Sequence, residues 1–130
     1  MRKKIIAGNW KMNNDISQTI ELINGITSSI PSADSVKSTV IICPPFTSLA
    51  TAHQLLKDSF IKLGAQDVSL HYSGAYTGEI SVTMLKSVGC DYIIVGHSER
   101  RQYHGETDEI INQKAKKVLA YHKERSAGIE

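Results

Sequence analysis

A repeated strand–helix α/β fold is the class this chain predicts, and three observations predict it. Four short runs, Lys4–Gly8, Thr39–Cys43, Phe60–Ala65 and Tyr92–Val95, are rich in aliphatic and β-branched residues and apolar at successive positions. That is the pattern of parallel strands buried on both faces, not of alternating antiparallel strands. Segments with helical periodicity fill the gaps between the runs. Two of the runs stop at a glycine and continue into polar or titratable residues, Gly8-Asn9-Trp10-Lys11-Met12-Asn13 and Gly96-His97-Ser98-Glu99-Arg100-Arg101. Chemistry is thereby delivered to the carboxyl ends of strands, where parallel α/β folds place their sites.

Taken in order, the first strand over Lys4–Gly8 leads to a helix in which Ile16, Ile20, Ile23 and Ile30 share a face, with Asn14 or Asp15 as its N-cap. The second strand, Thr39–Cys43, stops at Pro44-Pro45, which opens a helix over about Thr47–Lys57 carrying Leu49, Ala52, Leu55 and Leu56. The third strand, Phe60–Ala65, runs into Gln66-Asp67 and a long loop. A helix over about Ser81–Val88 then stops at Gly89. After the fourth strand, His97 starts a short helix. A longer helix follows over about Thr107–His122, with Ile111, Ala115, Val118, Leu119 and His122 as its apolar stripe. Glu106, Asp108 and Glu109 near its start and Lys114, Lys116 and Lys117 further on complement the helix dipole. The repeat of about 30 residues is that of βαβ units, and right-handed crossovers place the helices outside a curling sheet.

Composition narrows the function. With 41% hydrophobic residues, the 130-residue chain can form the core of one domain, and no linker or low-complexity tract divides it. The net charge is +2 and the basic residues are dispersed, which argues against a nucleic-acid surface. The densest basic stretch, Lys114 to Lys117, reads as a solvated helix face. No run reaches the roughly 20 apolar residues of a membrane span, and the start of the chain lacks the apolar segment of a signal peptide. Cys43 and Cys90 lie in or beside apolar segments without CxxC spacing, as expected of buried, reduced thiols. His53, His71, His104 and His122 have no site spacing and read as surface or half-buried residues, and Trp10 as a packing residue. The expected compartment is the cytoplasm.

Three segments, Gly8-Asn9-Trp10-Lys11-Met12-Asn13, Tyr76-Thr77-Gly78-Glu79-Ile80-Ser81 and Gly96-His97-Ser98-Glu99-Arg100-Arg101, closely resemble segments of the triosephosphate isomerase family, in the same order and at the same separations. Gly105-Glu106-Thr107-Asp108-Glu109 resembles the start of that family's fourth main helix, and the likeness runs from about residue 4 to residue 120. Three long motifs in register are a specific match. The resemblance implies four βα units forming the N-terminal half of a (β/α)8 TIM barrel. It also implies an aldose–ketose isomerase that interconverts dihydroxyacetone phosphate and glyceraldehyde 3-phosphate through an enediolate, in glycolysis and gluconeogenesis, with no metal or organic cofactor.

Residue by residue, the resemblance implies that His97 is the electrophile, a neutral imidazole at a helix start donating to the substrate oxygens. This family is itself the standard example of a histidine kept neutral in that way. Lys11 resembles the catalytic lysine, a cation that attracts the phosphorylated substrate and stabilises transition-state charge. Glu99 is expected to pair with Lys11, either only holding it in place or also contacting the substrate or relaying protons. Asn9 is expected to donate from its amide to the same oxygens. Thr77, Gly78 and Glu79 lie in a loop that reaches a neighbouring subunit in the family, with Gln66 and Asp67 at its base. Glu79 and Arg100 resemble an intersubunit ion pair, so the implied partner is an identical chain. Without the resemblance, the loop around Ser73–Gly78 reads as ordinary and flexible.

The chain also departs from the family pattern. A whole barrel has eight units in about 250 residues, and this chain has four in 130. The family's glutamate base, the mobile lid after it and the late glycine-rich phosphate loop have no counterpart in these residues. The last stretch, 122–130, is too polar for a buried fifth strand and faintly resembles family sequence beyond that strand. The expectation is a partial barrel with open edge strands that is aggregation-prone, partly molten or paired with another half, and that has little or no isomerase activity alone. The alternatives are a non-catalytic assembly or interaction module and, ranked last, a phosphate-ligand binding module that retains Lys11 and His97.

Overall fold

The structure is a computed structural model that describes residues 2–126 apart from Pro31, Asp34 and Ser35. It divides into two compact units, one drawn from Met1–Gln66 with Ser87–Ile93 and the other from Asp67–Lys86 with Ile94–Glu130.

The first unit is an open, wholly parallel sheet of strands β1 (Ile5–Asn9), β2 (Thr39–Cys43), β3 (Lys62–Ala65) and β4 (Tyr92–Ile93), in that spatial order. Helix α1 (Ile16–Ser29) links β1 to β2. A single 3-10 turn (Phe46–Ser48) and helix α2 (Leu49–Leu55) link β2 to β3. The expected alternation of parallel strands and helices is therefore present. The central strands carry the core, with Ile41, Ile42, Cys43, Leu63 and Ala65 buried beside Ile23, Leu49 and Ala52. Burial pushes the Cys43 thiol up to about 11, and Cys43 and Cys90 are both buried and outside any disulfide.

Several expectations for this unit need correcting. β1 is not buried on both faces: Ile5 and Ile6 are 57% and 58% exposed. Among the described residues it stands at the sheet edge and pairs with β2 alone, from Ile5↔Thr39 to Asn9↔Cys43. The fourth strand is two residues long, not four, because Tyr92 and Ile93 pair with Gly64 and Ala65 and β3 ends there. The buried line of α1 contains Thr19 and Ile23, while Ile16 and Ile20 are exposed. Thr19 is admitted to the interior because its hydroxyl donates to the Ser48 Oγ at 3.0 Å. Of the two candidate caps, Asp15 caps α1. It accepts from the Gln18 N–H at 2.9 Å, and the Gln18 side chain accepts from the Asp15 N–H at 3.0 Å, a reciprocal capping box. The helix after the two prolines is shorter than expected and starts with the 3-10 turn.

The second unit holds most of α3 (Val82–Ser87), all of α4 (Ser98–His104) and α5 (Asp108–Ser126), and the loop before α3. The Ser81 hydroxyl accepts from the Met84 N–H at 3.2 Å and so starts α3. Gly89 follows α3 at φ +92°, as a stop glycine should. The Thr107 hydroxyl accepts from the Ile110 N–H at 3.3 Å at the start of α5. Acidic Asp108 and Glu109 occupy its first turn and basic Lys123 and Arg125 its last, as the helix dipole favours. Its inner stripe runs through Ile111, Lys114, Ala115 and Val118, whereas Leu119 is 66% exposed and His122 is also exposed. The lysine stretch is not uniformly solvated: Lys114 is buried at 3% exposure. The polar stretch after Tyr121 continues α5 to Ser126, and 127–130 lie outside the described residues.

Candidate functional site

The sequence-predicted residues fall in both units, and each part has its own geometry. In the first, β1 ends at Asn9 and the chain turns sharply. Lys11 takes a left-handed conformation at φ +56°, sterically unfavourable for a residue with a Cβ. Hydrogen bonds hold it on both sides. The Lys11 N–H donates to the Asn9 Oδ1 at 2.9 Å, and the Lys11 carbonyl accepts from the Gln66 Nε2 at 2.8 Å. Gln66 also donates to the Cys43 carbonyl at 2.8 Å, so one amide at the end of β3 braces both the β1 turn and the end of β2. Because the Asn9 oxygen is taken by backbone, its Nδ2 hydrogens are the donors it can present to a ligand. Trp10 is half-buried, as a packing residue should be, and its carbonyl accepts from the Asn13 Nδ2 at 2.8 Å.

In the second unit, Gly96 turns the chain at φ +72°, and a Cβ there would approach the Ile111 side chain to 2.8 Å. A glycine is required on both counts. The next residue, His97, is the N-cap of α4. Its Nδ1 accepts from the Glu99 N–H at 3.0 Å, while the Glu99 Oε2 lies 3.6 Å from the same nitrogen. These two contacts demand opposite protonation of Nδ1, since a nitrogen that accepts an N–H carries no proton of its own. The shorter backbone contact decides in favour of the tautomer with its proton on Nε2. In that form the imidazole is a neutral donor whose other nitrogen is locked by backbone.

Arg100, one turn into α4, pairs with two carboxylates inside its own unit. Its Nε lies 2.5 Å from the Glu106 Oε2 and 3.2 Å from the Asp67 Oδ2. Lys114 completes the cluster, with Nζ 2.8 Å from the Asp67 Oδ1 and 2.9 Å from the Glu106 Oε2. Burial acts to raise the Glu106 pKa, but the hydrogen bonds and charges of Lys114 and Arg100 outweigh it and hold the carboxyl below its usual value. Two residues expected at a subunit interface, Asp67 and Arg100, thus already have partners within the chain.

Thr77, Gly78 and Glu79 are exposed in a loop closed at its base by the Ser69 N–H donating to the Ile80 carbonyl at 2.8 Å. Within it the Glu79 N–H donates to the Tyr76 carbonyl at 3.0 Å, and His71 stacks on Tyr76 with ring centroids 3.6 Å apart. The structure therefore groups Asn9 with Lys11 and Gln66, His97 with Glu99, Asp67 with Arg100, and the three loop residues with one another. Sequence reasoning missed Lys114. The available signal was its register, inside the apolar stripe of α5 between Ile111 and Val118, where an unpaired lysine does not belong.

A family model described as triosephosphate isomerase matches residues 4–124. The chain is 53% identical over 119 residues to a triosephosphate isomerase of Alkaliphilus metalliredigens, covering 92% of this chain and 47% of the relative. It is 50% identical over 121 residues to that of Dictyoglomus thermophilum, covering 93% and 48%. It is 46% identical over 120 residues to that of Endomicrobium trichonymphae, covering 92% and 47%. The chain spans about half the length of these curated relatives.

Proposed function

Because the chain belongs to the triosephosphate isomerase family, we propose that it contributes the electrophile, the cation and the amide donor of an enzyme that interconverts dihydroxyacetone phosphate and glyceraldehyde 3-phosphate. The observation that carries this reading is the His97 Nδ1 accepting the Glu99 N–H at 3.0 Å. Removing a proton next to a carbonyl puts charge on the carbonyl oxygen. A neutral Nε2–H aimed at that oxygen stabilises the charge as it develops, and a fixed donor has no reorganisation left to undergo. Lys11 adds a positive charge for the phosphorylated substrate, and its braced backbone supports a fixed approach for the side chain. Asn9 adds an uncharged donor. Glu99 holds the imidazole through its N–H, and its carboxylate is assigned to Lys11 or to the substrate.

The remaining parts are a base, a lid and a phosphate loop, none of which these 130 residues supply. We assign the chain an identical partner that meets the exposed loop at Thr77–Glu79, and cytoplasmic residence. No helix among the described residues is long and apolar enough to cross a membrane.

The test is triose phosphate isomerisation by the 130-residue chain, alone and after co-refolding with the second half of a relative. The expected result is no turnover alone and turnover on complementation, reduced about 100-fold or more by His97→Gln. Complemented turnover that His97→Gln leaves intact would sink the assignment of His97. A stable complex without turnover would favour a non-catalytic assembly module.

A further inference from the structure

We propose that Lys114 is a positioning residue for His97, acting through Asp67, Glu106 and Arg100. The inference rests on His97 being the working donor, as proposed above.

α4 has seven residues, too few to hold a helical form on its own propensity, so its position must come from ties to its surroundings. Two arginines make those ties. Arg101 reaches the Asp108 Oδ1 at 2.6 Å, but the Asp108 side chain is 93% exposed, and pairs of that kind contribute little. Arg100 reaches Asp67 and Glu106, and Glu106 is buried at 8% exposure. The Arg100 tie is therefore the stronger of the two ion-pair ties on α4. It also acts close to the histidine, because the Arg100 N–H donates to the His97 carbonyl at 2.9 Å.

Lys114 is what allows the two carboxylates to serve Arg100 together. Its ammonium is bonded to one oxygen of each. Two carboxylates and two cations balance, whereas a lone guanidinium would leave an excess negative charge in a buried setting. The Glu106 Oε1 is buried with no hydrogen-bond partner among the described residues, so the carboxylate is hydrogen-bonded through Oε2, to which Arg100 and Lys114 both donate. Without Lys114 the carboxylates repel, Arg100 loses a fixed seat, and the start of α4 loosens. The Glu99 N–H then no longer holds the His97 Nδ1, and the imidazole samples both tautomers.

The test compares the 130-residue chain with Lys114→Met, and with Lys116→Met as a control on the exposed face of the same helix. One readout is the nitrogen–proton correlation spectrum of the His97 imidazole, which separates the tautomers without requiring turnover. The other is hydrogen exchange by mass spectrometry on dilute samples, comparing segment 97–104 with β2. The expected result in Lys114→Met is a mixed-tautomer signature and exchange about tenfold faster over 97–104, with β2 changed less than about twofold and Lys116→Met like the parent. An unchanged His97 signature, or equal acceleration in both segments, overturns the proposal. If Lys114→Met does not fold, Asp67→Asn, which leaves the Lys114–Glu106 contact in place, is judged by the same two readouts. Loss of the isomerase reading would show in the complementation assay and not here.

Discussion

The chemistry at residue scale depends on which nitrogen, oxygen or thiol is already engaged. The place of His97 at the start of α4 was legible because a glycine-terminated apolar run followed by histidine and glutamate marks a strand end opening a helix. Its tautomer was not legible, since that depends on one backbone N–H. Lys114 was misread because its partners Asp67 and Glu106 are 47 and 8 positions away and only the fold brings them together. Glu106 yields a prediction at this scale. Its folded pKa is lowered from the usual 4.5. The stabilisation is therefore fully present above that value and is lost as pH falls through the lower, folded value. Glu106→Gln is expected to cost about 3 kcal/mol at pH 7, because two cations lose a buried partner. The difference from the parent should shrink as the pH drops from 4.5 through the lower value at which the native carboxylate takes up its proton. Denaturant titrations of both proteins across that range check it, and a pH-independent difference would refute it.

Elements were readable where local signals agree and misread where sheet geometry takes over. α1, α3 and α5 begin beside Asp15, Ser81 and Thr107, residues whose side chains accept from the first turn. β2 lies where its β-branched run places it. β4 does not extend to Val95, because strand length is set by the partner, and β3 ends at Ala65. The inner line of α1 passes through Thr19, not Ile16, because a threonine with a buried hydroxyl partner can face inward, a fact beyond any hydropathy pattern. The capping box at α1 gives the prediction proper to this scale. Asp15→Ala removes the acceptor for the Gln18 N–H and should destabilise the first unit by about 1 kcal/mol. Asp15→Asn, which keeps an oxygen there, should recover most of it. Thermal melts of the three proteins decide, and equal loss in both variants would mean the cap contributes nothing.

For the whole molecule, the sheet ends at β1 and β4 while the curated relatives are about twice as long. β1 offers one unpaired edge and the apolar side chains of Ile5 and Ile6 to water, the combination that templates strand addition. Nothing in the local sequence announces this exposure. Ile5-Ile6 reads as a buried strand because in a closed barrel each strand has two neighbours and its inward side chains fill the interior. At this scale the chain alone should self-associate, and sedimentation velocity should show mass rising with concentration. Ile6→Lys places a charge on the open strand, as natural edge strands do, and should shift the distribution toward the monomer. The same substitution should weaken complementation by the second half of a relative, because a lysine suited to water is unsuited to a strand covered by a neighbour. Fewer oligomers together with undiminished complementation would mean that β1 is not the surface through which halves meet.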